Sequence, residues 1–202
     1  MSLFKYLKTP YPIISKFNFY HIAYRFFFSE GGKQLSLVLQ PILMAHMSLS
    51  QLIALAMIPK VSGGLSFLSS SFVIFDILKD PRKRQTTYHR LILGVSISDA
   101  LSSLAFFLGT WVMPKGSTWG AVGSSGSCSF VGFFGQWGIL GTFFYNAALA
   151  TYYLLILKYN WSTTKVKKAE PCFHAFALLT AWSIGIYGLA KNLYGSAVYV
   201  CW

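Results

Sequence analysis

From Leu52 onward the chain alternates long apolar runs with short polar breaks. The runs are Leu52 to Leu78, Leu91 to Met113, Cys128 to Leu157 and Cys172 to Ala190. A helix needs ~20 apolar residues to cross the hydrocarbon core of a bilayer, and each run meets or nearly meets that length. The pattern predicts an all-α protein, a multi-pass transmembrane bundle of four helices spanning residues 51–202. The first run carries Pro59 and Lys60 toward its start and Asp76 near its end. Lys60 is expected to snorkel to the interface as an anchor, with an outer-face binding role as the rarer alternative. The second run has Asp99 as its only charge, and the third has no charged residue. Pro171 opens the fourth, a residue suited to the first helical position.

Composition agrees with this reading. Charged residues make up 11% of the 202, against about a quarter in a soluble domain, and aromatic residues make up 18%. The net charge of +12 does not imply nucleic acid, because the cations lie between apolar runs and not along one polar face. No phosphate-binding glycine loop, HExxH, GxSxG, CxxC pair or metal-spaced Cys/His cluster occurs, so neither an enzyme nor a cofactor is expected.

Loop charge orients the bundle. Lys79, Arg82, Lys83, Arg84 and Arg90 lie between the first two runs, and Lys158, Lys165, Lys167 and Lys168 between the last two. The opposite side carries only Lys115 and Lys191. Positive charge stays inside, so the N-terminus is expected outside, in the plasma membrane. Residues 1–50 form a basic, aromatic extension of interfacial composition. Its apolar stretch starts too late for a good secretory signal. A start at Met47 would make the upstream part a mis-assigned extension.

Depth counting places the polar residues of the spans. Asp99 lies ~12 Å from the inner end of its span, Asn146 ~16 Å, and Ser66 and Ser70 ~18 and ~12 Å. Ser96, Ser102 and Ser103 share the Asp99 face. A carboxylate in hydrocarbon should face the bundle interior with partners. The expected cluster is therefore Asp99, Asn146, Ser66, Ser70, Ser102 and Ser103. It is either a packing knot or a protonation or cation switch. Gly94, Ser98 and Ser102, and likewise Ser62, Ser66 and Ser70, form small-residue stripes that let helices approach.

Cys128 and Cys201 both fall on the outer side, where an oxidising environment lets them pair; two unpaired thiols are the alternative. Cys172, near the inner interface, is expected to be an inert buried thiol, ahead of a palmitoylation site. The sequon at Asn160 is cytoplasmic and should carry no glycan. His174 and Trp182 are expected to serve packing.

Taken together, several segments carry a family resemblance: DPRKRQTTYHR, LILGVSISDALSSLAFFLGTW, the outer cysteine opening the third span, FFYNAALATYYLLILKY and the CW after the fourth. Residues 50 to 202 resemble the seven-helix G protein-coupled receptors of the cyclic AMP receptor and secretin-like group, in the form common in unicellular algae. The resemblance implies an outer Cys128–Cys201 disulfide and Asp99 as the acidic residue of the receptor core. It also implies an extracellular ligand and a heterotrimeric G protein facing the basic inner loop of Arg82, Lys83, Arg84 and Arg90. Leu157-Lys158-Tyr159 stands where a rhodopsin-type receptor has Asp-Arg-Tyr. The resemblance implies that these four spans are the front part of such a receptor. The competing readings are a four-helix membrane scaffold and half of a small transporter with Asp99 as its ion or proton site.

Overall fold

The computed structural model describes residues 48–197 and 200–201, so the expected extension falls, up to residue 47, outside the described residues. Four long helices follow, each long and apolar enough to cross a membrane. Helix α1, Leu49–Lys79, starts at Ser48, whose hydroxyl accepts from the Gln51 amide while the Gln51 side chain accepts from the Ser48 amide. This reciprocal cap satisfies two otherwise orphaned donors. A single helical turn, Pro81–Arg84, links α1 to α2, Thr87–Leu108. Gly109, at φ 42, ends α2, and the chain tightens into the 3-10 turn Gly109–Val112. Helix α3, Ser125–Leu157, is capped reciprocally by Ser124 and Ser127. Asn160, at φ 48, makes the sharp turn into α4, Thr163–Ala190; asparagine tolerates this left-handed region better than most residues.

Pro171 does not open α4 but lies inside it. A proline within a helix costs the hydrogen bond to the carbonyl four residues earlier. Here that carbonyl belongs to Lys167, an exposed residue near the helix start, where water can take its place.

The helices stand in a row. Helix α2 packs closely on α1 at one side and α3 at the other, and α4 packs mainly on α3. The α2–α3 contact is set by glycines at every third position of α3. A Cβ on Gly138 would stand 2.6 Å from both the Ser98 carbonyl oxygen and the Ser102 amide nitrogen. The serine stripe of α2 therefore receives α3, as small residues at a membrane helix interface do. On α1 the close approach belongs to Gly63, whose Cβ would lie 2.8 Å from the Ser103 carbonyl. The expected role of Ser62 is corrected: it is exposed and donates to the Pro59 carbonyl of its own helix.

Candidate functional site

Three polar features lie along the row: a bridged end, a carboxylate cluster between α1 and α2, and a buried ion pair at the opposite, basic end.

At the bridged end Cys128, in the first turn of α3, is joined to Cys201 by a disulfide, with the two Cα atoms 5.1 Å apart. Cys201 belongs to a two-residue strand, Val200–Cys201, paired antiparallel with Ser196–Ala197. Cys128, Cys201 and Met113 form a buried cluster there. Tyr194 seats the same segment against α4 by donating to the Gly185 carbonyl at 3.1 Å. Burial pushes the Tyr194 hydroxyl up to about 12, so it stays a donor at physiological pH. Between α2, α3 and this hairpin lies a cavity of about 10 Å³, lined by Ala105, Phe106, Gln136 and Ile139 among others, with room for about one water. The bridge closes a loop with a sequence separation of 73, so breaking it should cost up to ~4 kcal/mol by the chain-entropy estimate. Cys128→Ser and Cys201→Ser should lower surface expression equally, and the double variant should be no worse. Strongly unequal losses would argue against the pairing.

Asp99 projects from α2 toward α1. Its Oδ2 accepts from the Ser70 hydroxyl at 2.5 Å and from the Ser66 hydroxyl at 3.2 Å. Ser103 donates to Ser66 Oγ at 2.9 Å, extending the chain of hydroxyls. These hydroxyls supply hydrogen bonds that a carboxylate away from water requires. Two members of the expected cluster behave differently. Ser102 donates to the Asp99 backbone carbonyl at 3.0 Å, not to the carboxylate, and its face is taken by Gly138. Asn146 is exposed and donates to the Thr142 carbonyl of its own helix at 2.8 Å. The depth of Asn146 was countable, but its rotation about α3 was not: α3 turns its glycines to α2, which directs Asn146 away. Among the described residues no group of three or more His, Cys, Asp and Glu could hold a metal.

At the basic end Glu170 of α4 is 6% exposed. Arg90 holds it with two nitrogens, Nε on Oε1 and Nη2 on Oε2, the latter at 2.5 Å. Thr87 donates to Oε2 at 2.7 Å. His174, one turn further along α4, brings Nε2 within 3.6 Å of Oε1, and its Nδ1 lies 3.1 Å from the Tyr145 hydroxyl on α3. One network thus ties α2, α4 and α3 together. Sequence reading assigned Arg90 to the loop and His174 to packing, and passed over Glu170. The available signal was register. Arg90 and Glu170 stand just before runs two and four, which start from the same side with opposite charges.

The rest of the basic loop is divided. Arg82 and Arg84 are exposed, while Lys83 pairs with Asp76 at 2.6 Å. Arg90 is corrected from loop cation to a part-buried member of α2 that pairs with Glu170. Cys172 is an exposed free thiol, not a buried one. Trp182 packs on Trp137 and Phe133. Lys60 does not snorkel: its ammonium is buried 4.1 Å from the Trp111 ring centroid, with no hydrogen-bond partner.

Compared with protein-family models, curated proteins and solved structures, the chain matches none.

Proposed function

We propose that this multi-pass membrane protein is the first four-helix part of a seven-helix, G protein-coupled receptor-like signalling protein. The bridged end faces outside and the basic end faces the cytoplasm. The observation that carries the reading is the bridge from the first turn of α3 to the hairpin after α4. It holds one end of the helix row fixed, while the other end is held by an ion pair that motion can break. Asp99 lies between them on the α1–α2 interface, where a change of charge shifts how the helices pack. The resemblance over residues 50 to 202 supports the same assignment. Exposed Arg82 and Arg84, with the exposed Lys158, Lys165, Lys167 and Lys168 of the other basic loop, offer cations to an acidic cytoplasmic partner.

The test is to read the natural transcript past the Trp202 codon and express the full reading frame in cells with heterotrimeric G proteins. Three further apolar spans are expected, together with measurable guanine-nucleotide exchange. Asp99→Asn keeps the acceptor for Ser66 and Ser70 but removes the charge. It should shift basal exchange about fivefold or more, the smallest usual size of a coupling between two states. A frame without further spans, or exchange indifferent to Asp99→Asn, would sink this reading.

A further inference from the structure

We propose that Lys60, with the apolar surface of α1 and α2 beside it, binds a membrane lipid with an anionic phosphate headgroup at the bridged end of the row. The starting point is an unbalanced charge. Lys60 is 4% exposed, and its ammonium makes no hydrogen bond. A buried ammonium without a partner is costly, and the Trp111 face offsets only part of that cost. No carboxylate among the described residues is left for it. Asp76 holds Lys83, Asp80 caps the Arg82 amide, Asp99 holds Ser66 and Ser70, and Glu170 holds Arg90. An ammonium without an acceptor is a donor that a phosphate oxygen satisfies.

The position selects a lipid over a soluble anion. Trp111 is 45% exposed in the turn that ends α2, and Trp119 is exposed in the loop beyond it. Exposed tryptophans of this kind mark the membrane–water interface, the level of lipid headgroups. Toward the membrane centre the surface between the helices is apolar. Gly64 leaves room for the Phe107 ring, 3.2 Å from where its Cβ would be. Val61 and Leu68 on α1, and Leu104 and Phe107 on α2, are exposed apolar side chains of these two helices. An acyl chain fits such a surface while its phosphate reaches Lys60. The four-carbon lysine stem lets the ammonium swing past the Trp111 edge to meet it. This site stands independently of the receptor reading.

The full chain would be purified in detergent from membranes containing phosphatidylcholine and phosphatidylglycerol, and retained lipid measured by mass spectrometry. Wild type should retain phosphatidylglycerol preferentially, and in nanodiscs it should unfold at a higher temperature when that lipid is present. Lys60→Met should lower the retention about tenfold, the loss expected for a charged hydrogen bond, and Lys60→Arg should keep it. Equal retention of both lipids by wild type, which needs no variant to fold, would overturn the proposal. So would undiminished retention in Lys60→Met, or stabilisation by inorganic phosphate in phosphatidylcholine nanodiscs equal to that by phosphatidylglycerol.

Discussion

Replacing Glu170 by alanine should destabilise the folded protein by about 3 kcal/mol, among the largest losses available to a single side chain here. Glu170 is 6% exposed and takes two bonds from Arg90 and one from Thr87. Its removal leaves the Arg90 guanidinium with only the Arg84 carbonyl and water, and the Thr87 hydroxyl without its acceptor. Breaking a buried pair by deleting one partner typically costs ~3–5 kcal/mol, because the surviving charge is uncompensated. The Arg90 side chain is 30% exposed and can partly turn to water, which places the estimate at the low end. Glu170→Gln should cost less, since the amide still accepts from Thr87. The double change Arg90→Leu with Glu170→Leu should recover much of the loss, because a matched apolar pair leaves no orphaned charge. Thermal unfolding in nanodiscs measures all of these, and the double-mutant cycle isolates the coupling. Strictly additive single effects would show that the pair does not hold α2 to α4.

Gly138→Ala should separate α2 from α3 and cost about 3 kcal/mol, the upper part of the range for overpacking. The new Cβ would lie 2.6 Å from two backbone atoms, the Ser98 oxygen and the Ser102 nitrogen. Side chains can rotate out of such a clash; backbone inside two helices cannot. Gly126→Ala is the matched control. It lies in the same helix, and its nearest neighbour, Ser124 Oγ, is 3.9 Å away. That change should be neutral or stabilise by ~0.5–1 kcal/mol through helix propensity. Equal behaviour of the two variants in thermal unfolding would mean that the α2–α3 approach is looser than the structure has it.

The two ends of the helix row also differ in how readily they can separate. The bridge cannot open under physiological motion, whereas the Arg90–Glu170 contact can. A rearrangement that carries α4 away from α2 would free Arg90 beside the already exposed Arg84, whose carbonyl accepts from Arg90 Nη1 at 3.0 Å. Such a separation would leave both Arg90 and Glu170 without their main partner and so is opposed by the loss of these bonds. The free energy of the ion pair then sets the threshold for that motion.

The four spans were legible because a bilayer imposes one strong rule, ~20 apolar residues per crossing, and this chain obeys it with few charges inside. The Asp99 contacts with Ser66 and Ser70 were legible for a related reason. Rise per residue is constant in a helix, so depth can be counted along antiparallel spans. Rotation cannot be counted in the same way. The near-continuous apolar character of these helices leaves no clear polar face to mark which side turns inward. Asn146 was therefore assigned to a cluster from which the glycines of α3 turn it away. Ser62 was assigned to an interface that Gly63 occupies.

What the sequence determined by itself was composition along one axis: which segments cross the membrane, which loops carry the positive charge, and how deep each polar group sits. The tertiary structure decided the partners. Glu170 meets Arg90, Gly138 meets the backbone of α2, and Lys60 meets Trp111 with no anion at hand. The physical reason is that helices in an apolar solvent gain little by hiding apolar faces, so hydropathy says little about their rotation. Close steric fit and a few hydrogen bonds set it, and those exist only once two helices are side by side.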